Sequence, residues 1–146
     1  MVDTPDCSGL MVFEEDDRVR LVMPASLECV DRAVDAAASF LAGDRGWTGL
    51  FPALTALREA LLNAVIHGCC DQAPGLTITC SLAVEGHMAV IEVSDPGRGF
   101  DWRERSPSLP GPEATFGRGL CIMNFYADSV EYNAAGNTLT IRVNLA

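Results

Sequence analysis

Two glycine clusters and one polar stripe are the parts of this sequence equipped for chemistry. Residues 95–100 read DPGRGF after an apolar run. Pro96-Gly97 is accounted for as a turn, since proline fixes φ at the second turn position and glycine tolerates positive φ at the third. Asp95 and Gly99 are left over. A second glycine suggests close approach to the backbone, and an acceptor-only carboxylate beside it suits a donor such as an exocyclic amine. Residues 116–120, FGRGL, open a helical stretch. Exposed N–H groups at a helix start bind anions, and Gly117 and Gly119 would let a phosphate approach, although G-x-G alone also fits a plain loop end. The stripe is Glu59, Asn63 and His67 in LREALLNAVIHG, residues 57–68. Each step of four advances about 40° around a helix, so all three fall on one face. That face reads as ordinary solvated surface or as a functional line. The mid-helix Asn, which costs roughly 0.5–0.7 kcal/mol relative to Ala, shows that local stability did not select it.

The elements that must position these residues follow from periodicity and punctuation. Residues 10–15 and 18–23 flank Asp16-Asp17 and predict a hairpin. Leu27, Val30, Val34, Ala37, Ala38 and Leu41 recur at helical spacing over 27–42, with Ser26 as cap. A second helix is expected from about Pro52 to His67, stopped by Gly68. Residues 76–84 and 88–94 predict a second hairpin across Glu85-Gly86-His87. The stretch 101–116 holds three prolines and little periodicity, and is expected to be a loop. A third helix from Arg118 to about Ala127 and a closing hairpin, SVEYN then LTIRVNL, complete the order ββαα-ββ-loop-α-ββ. This predicts one α+β domain over residues 1–146, a two-layer α/β sandwich with a mainly antiparallel sheet and helices on one face. Residues 1–9 are expected to be a flexible N-terminus.

Composition narrows the classes of function. At 146 residues the chain suits one compact domain. The formal net charge of −10 argues against capture of nucleic acid and favours a basic protein partner. All ten basic residues are Arg, which excludes a Walker-type phosphate loop, the strand lysine of eukaryotic-type kinases and Schiff-base chemistry. No apolar run is long enough to span a membrane, and MVDTPD lacks the basic start of a signal peptide, so a cytoplasmic protein is expected. The six cysteines show no C-x-x-C pair and are expected to be reduced packing residues.

A helix with E-x-x-x-N, a strand ending D-x-G-x-G, a long loop and a G-x-G opening a helix form a four-part ordered pattern. In EALLNAVIHG (59–68), DPGRGF (95–100), GRGLCIMNFYADSVEY (117–132) and GNTLTIRV (136–143), the sequence resembles the GHKL (Bergerat, histidine-kinase-like) ATP-binding fold, and within it the bacterial anti-sigma-factor serine/threonine kinases. The resemblance spans essentially the whole chain. It implies ATP and Mg²⁺ as cofactors, with Asn63 ligating the Mg²⁺ and Glu59 the general base. It further implies that Asp95 accepts the adenine amino group and that Gly97 and Gly99 let the ring lie against the backbone. Gly117, Arg118 and Gly119 would cradle phosphates beneath an ATP lid formed by 101–116. Thr138 would complete the adenine pocket. His67 matches the subfamily pattern without a derivable task and reads as structural. Arg98, Arg103, Arg105 and Arg118 are candidate phosphate contacts, with solvated loop arginines as the plainer reading for the first three.

The function so implied is phosphorylation of a small anti-sigma-factor antagonist and sequestration of a sigma factor, a role in transcription regulation, with a homodimer as one assembly and no direct contact to nucleic acid or membrane. A non-catalytic ATP-dependent protein-binding switch of the same fold is the alternative. The catalytic half of a histidine kinase is a weaker reading, because the chain shows no dimerisation helix bearing a phosphoacceptor histidine.

Overall fold

The computed structural model describes residues 9–43, 46–68, 77–96 and 118–146. An antiparallel hairpin, β1 (Met11–Glu14) and β2 (Arg18–Pro24), leads into α1 (Leu27–Leu41). Ser26 caps α1 as expected, its Oγ accepting from the Glu28 N–H at 3.3 Å and so satisfying one of the donors that the first turn leaves open. Next come α2 (Leu50–Asn63), a π-helical turn (Ala64–Gly68), β3 (Thr77–Glu85), β4 (Met88–Ser94), α3 (Arg118–Tyr126), β5 (Ser129–Tyr132) and β6 (Thr138–Asn144). The six strands form one antiparallel sheet in the order β1-β2-β3-β4-β6-β5. The expected α+β architecture is therefore present.

Alternation along the strands makes one sheet face apolar. Val19, Leu21 and Met23 of β2, Ile78, Cys80 and Leu82 of β3, Ala89, Ile91 and Val93 of β4, and Leu139, Ile141 and Val143 of β6 are all buried. They pack beneath the inward sides of α1 and α2 and Met123 of α3 in one core. Among the described residues no polar or charged residue falls in the buried class, so the sandwich interior rests on apolar burial alone. No helix among these residues is long and apolar enough to cross a membrane.

Two features were not legible in the local sequence. First, α2 starts at Leu50, two residues before the expected Pro52. The N–H groups of Thr48 and Gly49 both donate to the Leu145 carbonyl, at 3.0 and 2.9 Å, so the end of the chain fixes this helix start. A Cβ on Gly49 would lie 2.3 Å from the Asn144 carbonyl oxygen and 2.7 Å from the Leu145 Cα. Gly49→Ala is therefore expected to lose about 1–3 kcal/mol of stability by forced backbone displacement, measured as a lower urea midpoint with unchanged slope. Second, the cysteines are not all reduced. Cys80 and Cys121 are free, but Cys29, buried in the first turn of α1, is disulfide-bonded to a partner outside the described residues. Sequence spacing misses such a pair because the fold, not the local motif, brings its members together. Burial, and secondarily the charge of Glu92, push the Cys80 thiol up to about 12, which leaves it an inert core group.

Candidate functional site

The inward strip of α2 is Ala53, Ala56, Leu57, Ala60 and Leu61. Its three alanines bring the helix axis close to its neighbours, and α2 packs against α1, α3, β4 and β6. Glu59 and Asn63 sit one α-turn apart beside that strip, both half-buried. Partial loss of water raises the Glu59 carboxyl above its ordinary value, and the neighbouring Arg58 guanidinium opposes the shift without cancelling it. Arg58 itself is drawn to Asp31 of α1. A carboxylate so placed holds a proton more readily than an exposed glutamate, as a general base must.

The α-helical hydrogen bonding ends at Asn63, and Ala64–Gly68 forms a π-turn. Such turns are rare and recur at functional sites. Glu59 and Asn63 keep their common stripe within the α-helical part of this segment. The expected uninterrupted α-helix to His67 is corrected accordingly, since it ends at Asn63 and continues as the π-turn, and the side chain of His67 lies outside the described residues.

The second group lies at one end of the sheet. Ser94, the last residue of β4, pairs in the ladder with Thr138, the first of β6, and their hydroxyls lie 3.1 Å apart across 44 residues of sequence. Asp95 follows directly, half-buried, with its N–H donating to the Asn137 carbonyl at 3.0 Å. That carbonyl is held by a tight hairpin loop. The Asn133 side-chain oxygen accepts from the N–H groups of Gly136, Asn137 and Thr138 at 2.8, 3.0 and 3.2 Å, and its amide donates to the Asn137 side chain at 2.8 Å. Gly136 takes φ +80°, a conformation that favours glycine. Asp95 and Thr138 are thus brought together because β6 inserts between β4 and β5, an order that local patterning does not reveal. Ser94 and Asn133 were missed by sequence reading. The signal for Asn133 was present, since Asn commonly satisfies turn backbone with its own side chain.

Arg118 and Gly119 form the first turn of α3, which packs on α2. Gly97, Gly99 and Gly117, the expected lid 101–116, and Arg98, Arg103 and Arg105 lie outside the described residues. The described part of the site is therefore a carboxylate and an amide on α2, and a carboxylate and two hydroxyls at the end of the β4–β6 pair to which α2 is packed. Among the described residues no cluster of three or more His, Cys, Asp or Glu could hold a metal ion. A neutral amide such as that of Asn63 suits a hard cation whose other ligands are water and phosphate oxygens.

Comparison with known proteins agrees with this layout. The family model for the histidine kinase-like ATPase domain matches residues 23–143. A histidine kinase domain of a blue-light activated histidine kinase from Erythrobacter litoralis EL346 shares the fold at a TM-score of 0.52 and 18% identity, covering 84% of this chain. The chain spans 62% of that chain's length. No curated protein sequence matches. Because the family match runs from the end of β2 nearly to the end of β6 and takes in both halves of the site, the chain belongs to the histidine kinase-like ATPase domain family.

Proposed function

We propose that this domain binds ATP with Mg²⁺ and acts as an anti-sigma-factor-type serine/threonine protein kinase, phosphorylating a small antagonist protein and sequestering a sigma factor. The observation that carries the reading is Glu59. It stands one turn before Asn63, on a helix packed against the two strands that bring Asp95 and Thr138 together, and burial raises its carboxyl.

Bound nucleotide and metal supply a transferable phosphoryl group and the positive charge that a lysine-free protein otherwise draws from arginine alone. The chain's own residues do the rest. Glu59 accepts the proton of the attacking serine hydroxyl. Asn63 offers a neutral amide oxygen to the metal. Asp95 would accept a hydrogen bond from the adenine amino group, and the Ser94–Thr138 hydroxyl pair lies beside it at the strand ends. The first-turn N–H groups of α3 point their positive end at anionic charge.

The test is incubation with γ-labelled ATP and candidate antagonist proteins that co-purify with the chain. Label on a serine of the antagonist is the expected result, and ATP-dependent partner binding without any label would instead establish a non-catalytic switch. Asn63→Ala is expected to bind Mg-ATP about tenfold more weakly by calorimetry, roughly the worth of one hydrogen-bond-like ligand. Its residual affinity should no longer depend on Mg²⁺.

A further inference from the structure

The hairpin strand β1 lies outside the stretch that matches the family, which begins at residue 23. Every residue of β1 is exposed. Met11 and Phe13 share one face at 50% and 51% exposure, and Val12 on the opposite face, the side that carries the helices, is 46% exposed. The helical layer therefore does not cover this strand, and Arg20 shields Phe13 only by standing 5.8 Å over its ring. Solvent-facing edges are normally blunted by proline, a bulge, charge or shortness; β1 is short and ends on Glu14, but Met11-Val12-Phe13 carries neither proline nor charge. Among the described residues β1 pairs with β2 alone.

The ladder fixes which backbone groups stay available. At the turn the Glu15 N–H donates to the Arg18 carbonyl at 2.7 Å, and the register continues Glu14↔Val19, Phe13↔Arg20, Val12↔Leu21, Met11↔Val22. Antiparallel pairs alternate between bonded and non-bonded. Phe13 and Met11 accordingly spend their N–H and C=O on β2, and Val12 and Glu14 turn theirs outward. Beyond this apolar edge the chain runs Glu14-Glu15-Asp16-Asp17, four consecutive carboxylates.

We propose that β1 is a docking edge that takes an extended segment of a partner protein as a seventh strand. The segment is apolar opposite Met11–Phe13 and carries Arg or Lys opposite residues 14–17. Main-chain bonds to Val12 and Glu14 give affinity, and the acidic run gives direction and choice of partner. Charge selects this occupant over a second copy. Self-pairing would bring together two chains that each carry a net charge of −10. The edge is separated from the β4–β6 site by β2 and β3, so this inference does not rest on nucleotide binding.

The test uses the full chain and a short fluorescein-labelled peptide of alternating Val and Thr ending in a run of Arg, with a Glu-ended peptide as control, read by anisotropy. The Arg-ended peptide is expected to bind about tenfold more tightly at low salt and to lose that advantage at high salt. Val12→Pro removes an outward N–H without touching the β2 ladder and should weaken binding about tenfold. Should that variant fold poorly by circular dichroism, the double change Glu15→Arg with Asp17→Arg provides an independent readout, expected to reverse the preference between the peptides. Equal binding of the two peptides, no binding of either, an unreversed preference, or light scattering that shows a dimer abolished by Val12→Pro would each overturn the proposal.

Discussion

Glu59→Gln is expected to reduce phosphoryl transfer to a protein serine by about 100- to 10,000-fold, the range over which a positioned base acts, with ATP affinity little changed. The wild-type rate should rise with pH as Glu59 loses its proton. Because burial raises this carboxyl, the acid limb should lie above that of an exposed glutamate, and the variant should lack it. Stability should move in the opposite sense. A carboxyl whose pKa is raised on folding favours the folded state fully below its unfolded value and loses that contribution as pH rises through the folded one. Near neutral pH the wild type keeps an ionised, half-buried carboxylate, so Glu59→Gln should melt no lower than wild type, and the difference should shrink as pH falls. A variant that is folded, binds ATP and does not transfer phosphate separates a base from a structural residue. Full activity in Glu59→Gln would remove the base and leave the switch.

Asp95→Ala is expected to weaken ATP binding by about 10- to 140-fold, which is the 1.5–3 kcal/mol of a hydrogen bond to a charged group. Discrimination against GTP should fall with it, since guanine presents a carbonyl where adenine presents an amine, and a carboxylate rejects an acceptor. The Asp95 N–H bond to Asn137 is a main-chain contact that the substitution retains, so the hairpin loop should persist and the loss should fall on ligand affinity. Competition of ATP and GTP for a fluorescent nucleotide measures both effects. Unchanged affinity with unchanged preference would take Asp95 out of the base pocket.

What the sequence made legible was local. The Ser26 cap, the alternation of β2 through β4 and the Asp16-Asp17 hairpin each depend on neighbours within a few residues, and each stands where expected within one or two positions. Features set by long-range contact were not readable. The start of α2 follows from the Leu145 carbonyl, and the placing of Asp95 beside the start of β6 from the insertion of β6 beside β4. The π-turn is a different case. Nothing in AVIHG distinguishes it from an α-helix. Within the candidate site, Glu59, Asn63, Asp95 and Thr138 are singled out by a motif that orders their types, as the resemblance implies. Ser94 and Asn133 are not, because their roles are to shape the backbone on which those residues stand.

The central claim, that Mg-ATP lies between the Glu59–Asn63 stripe and the Asp95–Thr138 strand ends, is tested most directly by a nuclear magnetic resonance titration of the labelled chain. Saturable shifts concentrated on Glu59, Asn63, Ser94, Asp95 and Thr138, and shared by a non-hydrolysable analogue, are the predicted result. No shift at millimolar Mg-ATP, or shifts clustered on β1 and the acidic turn instead, would contradict it.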